Sequence, residues 1–250
     1  MTRATATRAV LRTEARLFTR EPGALFWVMA APTILLVILG LVPSFREPSA
    51  DLDGGRRVID VYVPVSVLFA LIMAGLQAMP PVLAGYRECG ILRRMSTTPV
   101  RPAALLTAQL ALHAAAALVS AVLVITVGRL AFDVALPGNI PGYTLALLLA
   151  AACGLALGAA VCAVSRTQKT ATAVGTAAFF PTIFTAGVYI PVQAMPDTLR
   201  QIIQFTPYGA ASQALDEAAG GVRPGWFALG VMALWTVVLT ATAVRWFRWE

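Results

Sequence analysis

The chain has 250 residues, of which 58% are hydrophobic and 12% charged, with a formal net charge of +7 and a mean hydropathy of +0.77. A soluble domain carries about twice that charged share, so the composition excludes an ordinary water-soluble enzyme and places the chain in a bilayer. The positive balance comes from eighteen arginines and one lysine lying mostly beside apolar runs, where anionic headgroups attract them; nucleic acid is a poor explanation.

The first 22 residues read as an amphipathic interfacial helix. Arg8, Arg12 and Arg16 recur every four residues with Arg20 beyond them, while Val10, Leu11, Leu17 and Phe18 fall on the other side of the wheel. Glu14 sits in the middle of that apolar side. Two readings are open: a carboxylate that snorkels to water, or one that meets a polar group on a neighbouring helix. Arg20-Glu21-Pro22-Gly23 then breaks the helix and turns the chain into the membrane.

Six apolar runs follow, at about 25–42, 62–84, 104–128, 142–164, 171–190 and 226–244, each long enough to cross roughly 30 Å of hydrocarbon as a helix. The second holds Gln77 and ends near Pro80-Pro81, a pair that should kink or terminate it. The third carries Gln109 and His113 one turn apart, either bundle residues or the lining of a polar path. In the fourth, Gly154 and Gly158 form a Gly-x-x-x-Gly pattern that permits close helix approach, within the chain or between chains. Cys153 and Cys162 in the same run point to different faces, so no disulfide is predicted. Pro181 and Gly187 interrupt the fifth run. Between the fifth and sixth, two short helices at about 196–205 and 208–219 are predicted to dip back into the outer leaflet. No cleavable signal pattern follows the first run, which continues into Pro43-Ser44.

With the N-terminus inside, the cytoplasmic segments hold thirteen of the nineteen basic residues and the outer segments six. Both termini are then cytoplasmic. The central parts of the runs contain no Asp, Glu, Lys or Arg, and the chain has no His-x-x-x-His, no Gly-x-Ser-x-Gly and no phosphate-binding loop, because Lys169 follows Gln168 rather than glycine. The expectation is a protein that is not an enzyme, binds no metal or cofactor, and depends on another subunit for energy.

Between the second and third runs lies a charged island, Arg87-Glu88-Cys89-Gly90-Ile91-Leu92-Arg93-Arg94-Met95-Ser96-Thr97-Thr98-Pro99-Val100. It resembles the run R-E-x-G-T-L-x-R-L-x-x-T-P-V of type-2 ATP-binding-cassette (ABC) exporter permeases. Gly187-Val188-Tyr189-Ile190-Pro191, Met195-Pro196 and Thr206-Pro207-Tyr208 are similar to that family's G-x-x-x-P, M-P and N-P pattern before the last span. The nearest subgroup is the daunorubicin/doxorubicin-resistance-type subunits, from whose pattern Cys89, Ile91 and Thr206 depart.

The resemblance implies an all-α membrane domain of six spans over 1–250, with a cytoplasmic coupling helix at about 86–98. In it Arg87, Glu88, Gly90, Ile91, Leu92, Arg93, Arg94, Met95 and Pro99 would meet a cytosolic ABC ATPase, and Gln77, Gln109 and His113 are candidate path residues. It further implies two permease subunits, identical or diverged, with two ATPase copies that hold ATP and Mg. The cargo would be a drug, lipid or other amphiphile exported across a prokaryotic plasma membrane. The competing expectation is a non-conducting anchor or assembly subunit that holds a cytosolic partner through the same island.

Overall fold

The computed structural model describes residues 3–49, 52, 55–91, 94 and 102–246. Its elements are helices, and among the described residues the extended backbone amounts to one isolated bridge between Pro48 and Arg57. Helix α1 spans Arg3–Phe18, with Arg8, Arg12 and Arg16 exposed and Glu14 buried. Helix α2, Pro22–Gly40, starts on a proline whose missing N–H is no loss in a first turn. A 3-10 turn over Pro43–Arg46 leads toward α3, Val58–Glu88.

Both α2 and α3 pass a proline without ending. Each widens into a π turn just before it: Phe26–Ala30 ahead of Pro32, and Met73–Ala78 ahead of Pro80-Pro81. A proline offers no N–H to the carbonyl four residues back and its ring crowds that carbonyl, so one looser turn lets the helix carry on. Of the two outcomes expected at Pro80-Pro81, a kink or a termination, the helix does not terminate. The helix continues through Glu88, 31 residues from Val58, or about 46 Å.

The remaining helices are α4 (Pro102–Phe132), α5 (Ile140–Val164), α6 (Gln168–Thr185), α7 (Asp197–Ile203), α8 (Pro207–Ala219) and α9 (Trp226–Trp246). Among the described residues, α2, α3, α4, α5 and α9 are the helices long and apolar enough to cross a membrane, against six expected runs. Over the fifth run, α6 begins with Gln168-Lys169 and carries Thr170, Thr172, Thr176, Thr182 and Thr185, which lowers its hydropathy below that of the others. It runs on through Pro181 and ends before Gly187, whose φ of +86° turns the chain.

The bundle is built around α3. Of its apolar window 83% is buried, against 22% for α2 and 28% for α9, so α3 is the axis and the other two lie at the rim. Close approach to α3 is made by glycine. A Cβ on Gly158 would stand 2.0 Å from Gly75 O and one on Gly175 2.5 Å from Leu76 O, so the π turn of α3 is pressed backbone to backbone against α5 and α6. The Gly-x-x-x-Gly pattern thus serves packing within the chain; Gly154, its other member, receives the Tyr208 hydroxyl end of α8 and the facing Gly75. Alanine-rich α8 fills the core with Tyr208, Ala210, Ala211, Ala214, Leu215 and Ala218.

Arginines close three helix C-termini. Arg46 Nε donates to Gly40 O at the end of α2, Arg57 Nη1 to Phe132 O at the end of α4 (3.2 Å), and Arg87 Nη1 to Cys162 O and Ser165 O at the end of α5 (3.1 and 2.6 Å). The last carbonyls of a helix have no partner of their own and carry the negative end of its dipole, so a guanidinium satisfies both needs at once. Arg57 also caps α3, where its backbone N–H and Nε reach Asp60 Oδ2 at 3.1 Å. At that same end Arg56 forms a two-pronged ion pair with Asp216 of α8, tying the α2–α3 loop over the bundle. Cys153 and Cys162 are free and buried, and Arg129 pairs with Asp133 at 3.6 Å.

Candidate functional site

The charged island begins where α3 ends. Cys89 N–H bonds back to Gly85 O and Gly90 N–H to Arg87 O, both at 2.9 Å, and Gly90 takes φ +66°. A side chain at Gly90 would meet nothing within 4 Å, so what the position requires of glycine here is the left-handed backbone that terminates a helix. One helical bond follows, Arg94 N–H to Gly90 O at 3.0 Å, and Arg94 Nη2 reaches Cys89 O at 3.2 Å. Ile91 is half-buried. Leu92, Arg93, Met95 and Pro99 lie outside the described residues, as do residues 92, 93 and 95–98 of the expected coupling helix at 86–98.

Three consecutive side chains just before Gly90 reach three different elements. Tyr86 donates its hydroxyl to Glu14 Oε2 of α1 at 2.8 Å. Arg87 holds the α5 carbonyls already described. Glu88 Oε2 accepts the backbone N–H of Gln168, the first residue of α6, at 2.9 Å. Each charge suits the helix end it meets, a cation at the C-terminus of α5 and an anion at the N-terminus of α6.

Glu14 is 6% exposed, and its environment settles the choice between its two readings: it meets polar groups on neighbouring helices. Its Oε2 accepts from Tyr86 and also from Gln109 Nε2 of α4 at 2.5 Å. Gln109 O in turn accepts from His113 Nδ1 at 2.9 Å, and the His113 ring meets Phe18 edge to face at 5.3 Å. Gln109 Oε1 and His113 Nε2 are buried without a hydrogen-bond partner. Gln109 and His113 therefore face the interfacial helix.

Gln77 lies elsewhere, on the wall of a cavity of about 980 Å³ between α2, α3 and α6. On α3 the wall is a stripe repeating every four residues, Phe69, Met73, Gln77, Pro81, Gly85 and Cys89, which covers about 30 Å of helix, the thickness of a hydrocarbon core. Trp27 of α2 and Phe179 and Phe180 of α6 add aromatic rings to a mainly apolar lining. The cavity extends from Ile91 and Gln168 at the connector end to Val188 and Tyr189 at the other, with Glu21 its charged lining residue among those described. Such a space accepts a flat or flexible apolar molecule and offers a few hydrogen bonds along its length.

Among the described residues no group of three or more His, Cys, Asp or Glu is gathered to hold a metal. Sequence reasoning missed Tyr86, Ser165 and Gln168, whose roles depend on which helix ends lie beside α3. The pattern Gly85-Tyr86-Arg87 carries no local sign of them.

A helical membrane bundle with a lengthwise cavity and a charged connector at one end of its central helix has the form of a transporter's membrane domain. The family model described as ABC-2 type transporter matches residues 5–218, and the chain belongs to that family, as a membrane permease component of ABC transporters. It is similar to the ABC transporter G family member 20 of Dictyostelium discoideum, 27% identical over 160 residues. That match covers 62% of this chain and 22% of the relative, so the chain spans about a fifth of the relative's length.

Proposed function

We propose that the chain is the permease subunit of an ABC exporter in a prokaryotic plasma membrane, with both termini cytoplasmic. In this reading α6 is the sixth span. At 18 residues it rises about 27 Å, and its threonines are not a barrier, since Thr172, Thr182 and Thr185 return their hydroxyls to Gln168 O, Ala178 O and Thr182 O. The short helices α7 and α8 then return from the outer side into the bundle. Two such subunits face each other, and two cytosolic ATPase copies, holding ATP and Mg, seat the connector through the Ile91-Leu92 and Met95 ridge and the charges of Arg93 and Arg94.

The observation that carries this reading is the cavity. It joins the connector end to the opposite turn along the central helix, and its mainly apolar lining suits a drug, lipid or other amphiphile. Movement of the connector would tilt α3 and α6 and open the cavity alternately to the two sides.

The test is reconstitution with the partner ATPase and a fluorescent amphiphile. Val82→Trp and Thr176→Trp, both on the cavity wall and partly exposed, are expected to lower ATP-driven transport about tenfold while ATPase binding persists. Transport at the unmodified rate in both variants would rule out this cavity as the path. A bound partner without ATPase activity would favour the anchor.

A further inference from the structure

The resemblance assigns Arg87 and Glu88, with the rest of the island, to the surface that grips the motor. Their hydrogen bonds go elsewhere. Successive residues on a helix project about 100° apart, so three in a row sweep around most of one turn and can address three neighbours. Tyr86 reaches α1 through Glu14, Arg87 reaches Cys162 O and Ser165 O, and Glu88 reaches Gln168 N. The last two grips straddle one short turn, since Ser165 is the C-cap of α5 and Gln168 opens α6. Gly90 then ends the helix, separating these three residues from the connector proper.

We propose that Tyr86, Arg87 and Glu88 form a transmission hub: they pass displacement of the connector beyond Gly90 to the interfacial helix and to the α5–α6 turn, and they are not the motor's contacts. This rests on the transporter reading above. The physical ground is the direction of the bonds. A push on the end of α3 loads three directional hydrogen-bonded attachments in addition to the close packing of α3 against α5 and α6. The guanidinium holds two carbonyls at once, which resists rotation as well as separation. Glu88, although exposed, accepts the first N–H of α6 at a helix start, where an anion is favoured.

The experiment uses the full chain with its ATPase. Arg87→Ala and Glu88→Ala are expected to change ATPase affinity by no more than about twofold, yet to lower transport per ATP hydrolysed about tenfold. Glu88→Asp should restore most of it. Arg94→Glu should show the reverse pattern, weaker binding with an unchanged ratio in the complexes that form. In a chain with Cys89 replaced by serine, spin labels at Ile91 and Thr172 should keep one narrow distance in the parent and a broadened one in Glu88→Ala. Loss of ATPase affinity in the Arg87 and Glu88 variants with the transport ratio intact would overturn the hub. So would a label distance that both substitutions leave narrow. If the unmodified chain binds no ATPase, the transporter reading fails instead, and the label pair decides the hub by itself.

Discussion

At the scale of single residues, Glu14 shows how far a sequence reaches. Its position in the apolar side of α1 is visible from the arginine spacing alone, and so is its oddness. Its partners are not, because Tyr86 and Gln109 lie 72 and 95 residues away and become neighbours only when α3 and α4 pack beside α1. Both donate to the same oxygen, Oε2, which makes a sharp prediction. Glu14→Gln can present a carbonyl oxygen at that place and keep both bonds, losing the charge assistance. Glu14→Leu strands a buried amide and takes the partner from a half-buried tyrosine hydroxyl, at a cost of about 1–3 kcal/mol. Thermal unfolding in detergent should therefore rank the unmodified chain above Gln and Gln above Leu. A leucine variant as stable as the parent would show that the cluster does not hold α1 to the bundle. The arginines follow the same lesson: the side chains of Arg46, Arg57 and Arg87 are legible as charges, but that each closes a helix C-terminus depends on which ends meet.

At the scale of elements, the apolar runs were legible and their interruptions were not. Pro80-Pro81 reads as either a kink or a stop, because the sequence does not reveal that a π turn over Met73–Ala78 lets the helix accommodate the pair. That π turn is also the surface against which α5 packs, through Gly75 and Gly158. Gly158→Ala would place a methyl 2.0 Å from a backbone oxygen, where no rotamer change relieves it, and should destabilise the bundle by about 1–3 kcal/mol. Gly230→Ala in α9 meets nothing within 4 Å and should be neutral or slightly stabilising, since alanine favours a helix. The pair separates packing from propensity. Equal melting temperatures for both variants would contradict the contact between α3 and α5. Helix α6 was the least legible of the six runs, because its threonines lower hydropathy while satisfying their own hydroxyls, a distinction that composition does not register.

At the scale of the whole molecule, the bonds described gather the end of α3, the start of α4, the α5–α6 turn and α1 at one end of the bundle. Arg46, Arg56 and Arg57 lie at the other, where they are absorbed by Gly40 O, Asp216, Asp60 and Phe132 O. Under the proposed orientation this is the outer end, which tolerates these arginines because they are occupied as helix caps and ion pairs. The exposed Arg8, Arg12 and Arg16 lie at the connector end, as the proposed orientation with that end in the cytoplasm requires. Cys89 is exposed there, while Cys153 and Cys162 are buried, so the native chain carries one reporter of orientation among its three thiols. A membrane-impermeant maleimide should leave intact cells unlabelled and modify Cys89 once the membrane is opened; Cys89→Ser should abolish that signal. A cysteine placed at exposed Ser44, at the opposite end, should react in intact cells. Labelling of Cys89 from outside would invert the whole arrangement and remove the connector from reach of any cytosolic motor.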